Sequence, residues 1–296
     1  MIQDRLKIVK KGIAPDVTLG RQTLLNCAAF HDYGAGCDGG DVIDVLRYMA
    51  RFGLPDESCL TYSGTDHTKF GKHATRCPAI GYCMNCMPIN DVDTCWAVKT
   101  PIRYYLDSYG QVSGAGEEAM MSEISTRGPI TCSMATPEVF DYGYHKGIAM
   151  DTARNWTADD VDHDVEVVGW GTSGNGQKYW VIRNSWGTYW GDLGFFLLER
   201  GTNALLIESG DCWWAQPTWE DEQEIRSGDK VGTMWGIFTA EEAERIKPEA
   251  GTKPQWEDDI DLDVDMERMG ERNPWVGGGL QGQTRQQQQR EDAALY

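Results

Sequence analysis

Between Asp41 and Phe52, apolar residues recur at Val42, Ile43, Val45, Leu46 and Met49, a spacing that lines one face of a helix ended by Gly53. A shorter helix is expected over Glu117 to Thr126, stopped by Gly128-Pro129, and residues 4–11 read as the end of a basic helix closed by Gly12 and Pro15. From Ile130 onward the period changes. Ile130–Met134, Val165–Trp170, Tyr179–Arg183 and Phe195–Leu198 are short runs rich in β-branched and aromatic residues, the pattern of strands. Gly174-Asn175-Gly176 separates the second and third runs, which therefore read as a hairpin. Helices first and strands later predict an α+β fold of two unlike subdomains with a cleft between them. The helical, Cys-rich part covers about residues 1–103 and the antiparallel β part about 104–217.

The hairpin carries chemistry. Paired antiparallel, its strands bring His163, at the start of one, beside Asn184, at the end of the other. A histidine held by an amide is the base and the orienting member of a nucleophilic triad, and it asks for a nucleophile elsewhere in the chain.

Composition narrows the rest. The chain of 296 residues has room for one or two domains, and its formal charge of −19 argues against a nucleic-acid partner, since no basic patch survives such a balance. No apolar run approaches the roughly 18 residues of a membrane-spanning helix, so no membrane insertion is expected. The stretch Met1 to Lys7 is charged from the start and does not read as a signal peptide. After Pro217 the balance tilts to 19 acidic against 9 basic residues, with an acidic run from Trp256 to Asp265, then Gly277 to Gly279 and Gln286 to Gln289. Residues 218–296 are accordingly expected to be a largely disordered acidic tail whose partner is unknown. Within it, only Thr239 to Ile246, with Glu242 three residues after Thr239, shows a helix-capping pattern.

Nine cysteines, at 27, 37, 59, 77, 83, 86, 95, 132 and 212, point to an oxidising compartment. Cys83-x-x-Cys86, flanked by Cys77 and Cys95, has zinc-ligand spacing. No second Cys-x-x-Cys or His-x-x-x-His completes such a site, so disulfides are favoured and no metal or other cofactor is expected. Asn155-Trp156-Thr157 is a glycosylation sequon, consistent with secretion.

Asp162-His163 followed by Val167-Val168-Gly169-Trp170-Gly171 resembles the histidine motif of the papain-like cysteine proteases. Tyr179-Trp180-Val181-Ile182-Arg183-Asn184-Ser185-Trp186-Gly187, with Trp190-Gly191 and Gly194 behind it, resembles their asparagine motif. Cys37-Asp38-Gly39-Gly40 is similar to the segment that lines their substrate cleft. Pro55-Asp56-Glu57-x-Cys59, Gly110-Gln111-Val112-Ser113-Gly114, Met120-Met121-x-Glu123-Ile124 and Gly128-Pro129-Ile130-x-Cys132 are closest to the cathepsin Z branch. The resemblance covers about residues 1–217. It implies a papain-like fold and a cysteine-type peptidase, lysosomal or extracellular, acting on peptides or proteins with a carboxypeptidase bias. His163 would be the catalytic base and acid, and Asn184 would orient it. Gly39, Gly40 and Trp186 would border the substrate. The pairs Cys27–Cys77, Cys59–Cys83, Cys86–Cys95 and Cys132–Cys212 are implied as disulfides.

The nucleophile motif Cys-Gly-Ser-Cys-Trp is absent from the chain. Cys27 falls within the spacing of roughly 130–150 residues ahead of the histidine, but Gln22-Thr23-Leu24-Leu25-Asn26-Cys27 resembles a structural segment of the family instead. Met1 to Ile8 resembles the last turns of the nucleophile's helix, and the partner implied for Cys37 would precede it. The chain is therefore expected to be N-terminally truncated and inactive as it stands. The alternative is a non-catalytic pseudoprotease that binds peptides or regulates on the same scaffold. His31, His67, His73 and His145 are assigned no role, and Trp180 and Trp190 are expected in the core.

Overall fold

The computed structural model describes residues 1–71, 74–153 and 155–246. Helix α1 (Ile2–Val9) buries Arg5 and Leu6. Arg5 uses its guanidinium to tie this helix to the β-rich half. It donates to the carbonyls of Pro129 at 2.6 Å and Gly128 at 3.0 Å, and to Glu123 Oε1 at 2.9 Å. Helix α2 (Arg21–Cys27) follows, then α3 (Val42–Phe52), which spans the predicted amphipathic repeat and buries Leu46, Tyr48, Met49, Ala50 and Phe52. The cysteine-rich stretch holds a short helix α4 (Ala79–Tyr82) and an antiparallel hairpin of β1 (Met84–Ile89) and β2 (Val92–Ala97). Asn90 and Asp91, at φ 52° and 62°, make its two-residue turn, and Cys86 lies directly across from Cys95. The sequence pattern gives no strands in this stretch, yet the hairpin is regular.

Four disulfides join Cys27–Cys77, Cys59–Cys83, Cys86–Cys95 and Cys132–Cys212, the pairs implied by the resemblance. Cys83 and Cys86, spaced as zinc ligands, are thus consumed in two different bridges.

The second half is one sheet. Strand β3 (Leu106–Gln111) leads to α5 (Glu117–Arg127), β4 (Ile130–Ala135), α6 (Glu138–Gly143) and the short β5 (Ile148–Ala149). Strands β6 (Val161–Thr172), β7 (Lys178–Arg183), β8 (Phe195–Glu199) and β9 (Cys212–Pro217) complete it. The sheet order is β3-β9-β4-β6-β7-β8-β5, antiparallel throughout except for β5 on β8. Val165, Val167, Trp180, Ile182, Phe196 and Leu198 form its core. Strand β6 starts at Val161, earlier than the Val165 expected from its apolar residues, so His163 sits inside the strand opposite Met134 of β4. The polar residues ahead of Val165 still pair with β4, where Asp164 Oδ1 accepts from Ser133 Oγ at 2.7 Å.

Of the segment beyond Pro217, residues 218–246 are described, and they carry regular structure. Helix α7 (Glu220–Ser227), the hairpin of β10 (Val231–Thr233) and β11 (Gly236–Phe238), and α8 (Ala240–Ile246) are folded. Lys99 N donates to Trp235 O and Ile237 N to Thr100 O, each at 2.8 Å. Ile237 and Phe238 are buried. The acidic residues that suggested disorder are used as partners: Glu222 Oε2 accepts from Lys10 Nζ at 2.7 Å, both side chains buried, and Asp221 Oδ2 accepts from Arg103 N at 2.9 Å. The acidic run at Trp256–Asp265 and the low-complexity stretches lie outside the described residues, as does His73.

Candidate active site

Strand β6 carries His163, and Asn184 follows the last residue of β7. The register pairs Glu166 with Arg183, so each residue lies just past the paired stretch, at the same end of the hairpin. His163 Nε2 stands 2.8 Å from Asn184 Oδ1. The direction of that bond follows from a third group. Ser185 N donates to the same Oδ1 at 2.7 Å, which fixes it as the amide's oxygen, so His163 Nε2 must carry the proton. In the neutral ring Nδ1 then holds the free lone pair, and it has no hydrogen-bond partner among the described residues.

Both partners are held from behind. Asn184 is 6% exposed, and its N–H donates to Gly194 O at 2.9 Å. Asp162 Oδ1 accepts from Thr136 N at 2.9 Å and from Thr136 Oγ1 at 2.8 Å, clamping the start of β6 to the end of β4. Trp186 stacks on the imidazole, ring centroids 4.8 Å apart at 28°. Trp190 meets Trp186 edge-on at 5.0 Å, packs against Tyr144 and Phe196, and donates its indole N–H to Asp141 O at 2.9 Å. Gly191 is required in this turn: its φ is +57°, and a Cβ there would stand 2.6 Å from Phe195 O. Trp180 is in the core as expected, whereas Trp190 is only partly buried and braces Trp186.

Acidic groups surround the histidine. Burial pushes the Asp141 carboxyl up, and the neighbouring Asp162 adds to this while His163 opposes it. The carboxyl of Asp164, which accepts from Ser133 Oγ at 2.7 Å, is raised by desolvation and, more weakly, by the carboxylates of Asp211 and Asp41. Gly39 has φ +111° and accepts from Ala35 N at 2.7 Å; a Cβ on Gly40 would lie 3.1 Å from Gly34 Cα. No direct contact joins this segment to His163.

Cys27 is fully buried and bonded to Cys77, so it offers no thiolate. Cys37, the cysteine left outside the disulfides, is exposed near Gly64 O at 3.7 Å. No group of three or more His, Cys, Asp or Glu among the described residues is arranged to hold a metal ion, and none of the described helices is long and apolar enough to cross a membrane. Asp141 and the backbone of Ser185 had no signal in the sequence pattern; both act through tertiary geometry.

Comparisons with known proteins identify the family. Residues 1–215 match the family profile described as Papain family cysteine protease. Cathepsin Z of Onchocerca volvulus is 34% identical over 224 residues, covering 73% of this chain and 65% of that protein. Cathepsin B-like CP1 of Giardia intestinalis is 31% identical over 192 residues, 65% of this chain and 55% of that one. The chain therefore spans less than two thirds of the length of these relatives. Among solved structures, the bromelain protease of Ananas comosus superposes with a TM-score of 0.53 at 25% identity, covering 72% of this chain and 83% of its own. Procathepsin L2 of Tenebrio molitor larval midgut gives 0.55 at 26% identity, with 72% and 57% covered. The chain belongs to the papain family of cysteine proteases.

Proposed function

We propose that residues 1–217 form the part of a peptidase domain that supplies the base and its orienting amide in papain-type peptide hydrolysis. The observation that carries this is the His163 Nε2–Asn184 Oδ1 bond of 2.8 Å under Trp186, with Nδ1 left free. In that reaction a thiolate facing Nδ1 attacks the peptide carbonyl, and the imidazolium at His163 then protonates the leaving amine. Asn184 keeps the ring in the required tautomer. Trp186, with Gly39 and Gly40 across the cleft, borders the substrate.

The nucleophile is assigned neither to Cys27, which is disulfide-bonded, nor to Cys37, which has no contact with His163. By this reading the 296 residues alone do not hydrolyse peptides, and the activity belongs to a protein that also carries the thiolate. The likeness to cathepsin Z adds a carboxypeptidase bias and a lysosomal or secreted setting to the proposal. The second reading, a peptide-binding pseudoprotease on this scaffold, is favoured by the same lack of a placed thiolate.

An epoxide thiol probe separates the two. Protein isolated from its native source should be labelled at a cysteine other than those in these 296 residues, and the labelling should disappear in a His163→Ala variant. Labelling at Cys27 would overturn the assignment. No labelling together with measurable peptide binding would establish the pseudoprotease reading. With a labelled enzyme, faster cleavage of a peptide free acid than of its C-terminal amide would establish the carboxypeptidase bias.

A further inference from the structure

We propose that Asn155 carries an N-linked oligosaccharide, attached while the chain enters the secretory pathway and before its loop folds. Asn155 lies in the loop that leads into β6, a few residues ahead of His163, and it heads the sequon Asn155-Trp156-Thr157, the only one in the sequence. Its side chain is exposed and has no hydrogen-bond partner among the described residues.

The loop on both sides of it is pinned. Trp156 packs against the β-rich core and donates its indole N–H to Asp151 Oδ2 at 2.9 Å. Asp151 is itself buried and accepts from Leu205 N at 3.0 Å. On the other side, Thr157 and Asp160 form a capping box, with Thr157 N and Oγ1 donating to Asp160 Oδ2 at 2.7 and 2.8 Å. Asn155 is thus the outward-facing residue between two fixed points. The four disulfides independently place the chain in a compartment where oligosaccharide transfer takes place.

The chemistry needs one co-reactant, a lipid-pyrophosphate-linked oligosaccharide. The Asn155 amide nitrogen forms a bond to the anomeric carbon, the bond from that carbon to the pyrophosphate oxygen breaks, and the lipid pyrophosphate leaves. The amide gives up one proton, and nothing is oxidised or reduced. The transferase reads the hydroxyl two residues beyond the asparagine. In the folded loop that hydroxyl is bonded to Asp160, so transfer must precede closure of the capping box. The sugar then stands on the rim of the sheet that carries His163.

The test is expression of the full chain behind a cleavable secretion leader in a eukaryotic cell, with peptide N-glycosidase treatment of the secreted product. The supplied leader makes the outcome independent of the protein's natural routing and of its peptidase role. The expected result is a mobility shift of one glycan, lost in Asn155→Gln and Thr157→Ala and retained in Thr157→Ser. Asp160→Ala should keep or raise occupancy, because it frees the hydroxyl. A secreted wild-type chain with no shift, or a shift that survives in Asn155→Gln, overturns the site. Loss of the glycan in Asp160→Ala overturns the order of transfer and folding.

Discussion

Replacing Glu222 by alanine would leave the Lys10 ammonium buried without its counter-charge, and the cost can be worked from the contacts. Lys10 Nζ and Glu222 Oε2 are 2.7 Å apart, with side chains 2% and 7% exposed. Tyr104 OH at 3.3 Å and Arg226 Nε at 3.1 Å complete the shell of Glu222, and Lys10 also donates to Pro15 O at 2.7 Å. At an effective dielectric constant of about 20, the Lys10–Glu222 attraction alone is roughly 6 kcal/mol. Desolvation offsets much of that in the intact pair. Removing one partner of a buried pair typically costs about 3–5 kcal/mol, because the other charge stays behind. Urea unfolding of Glu222→Ala should therefore show a loss of that size, a large fraction of a domain's stability of about 5–15 kcal/mol. Lys10→Met combined with Glu222→Leu should cost much less than the two single losses added. A Glu222→Ala cost below about 1 kcal/mol, or additive effects in the double variant, would refute the view that α7 is part of the fold.

Three further outcomes follow from named contacts. Gly39→Ala should destabilise by about 1–3 kcal/mol through backbone strain alone, since φ +111° with ψ −172° is a conformation essentially reserved for glycine and a Cβ meets nothing within 4 Å; thermal unfolding reads this. The Glu123 carboxyl is buried, yet Arg127 and Arg5 hold it below the usual glutamate range. Its stabilising contribution is therefore full above that range and lost as pH falls below it, so urea midpoints of wild type and Glu123→Gln should differ at neutral pH and converge in acid. Alkylation of the native, unreduced chain should give a single adduct, at Cys37; an adduct at Cys27 would contradict the disulfide assignment.

Much of the architecture was legible because the residues that define it repeat with a clear period. The apolar face of α3 and the Gly-Asn-Gly turn between β6 and β7 are local signals, and local signals survive into the fold. The β1–β2 hairpin was not read, because Met84 to Ile89 does not alternate and Pro88 sits within it. Its register is fixed by the Cys86–Cys95 bridge and a turn of two residues at positive φ, and the Asn90-Asp91 pair was the signal available. The segment after Pro217 was read by its charge. Charge suggests solvation only when the partners are absent, and here Lys10, Arg103 and Lys230 wait on the folded body or within the segment itself. The His163–Asn184 pair was legible as a motif. The tautomer was not, since it depends on where Ser185 N points.

Nitrogen-15 NMR of the His163 ring tests the central assignment most directly. The neutral form of the ring should carry its proton at Nε2 and leave Nδ1 bare. In Asn184→Ala the preference for Nε2 should weaken, because the acceptor that holds that proton is gone. A neutral ring protonated at Nδ1, or a tautomer balance unchanged in Asn184→Ala, would contradict this assignment.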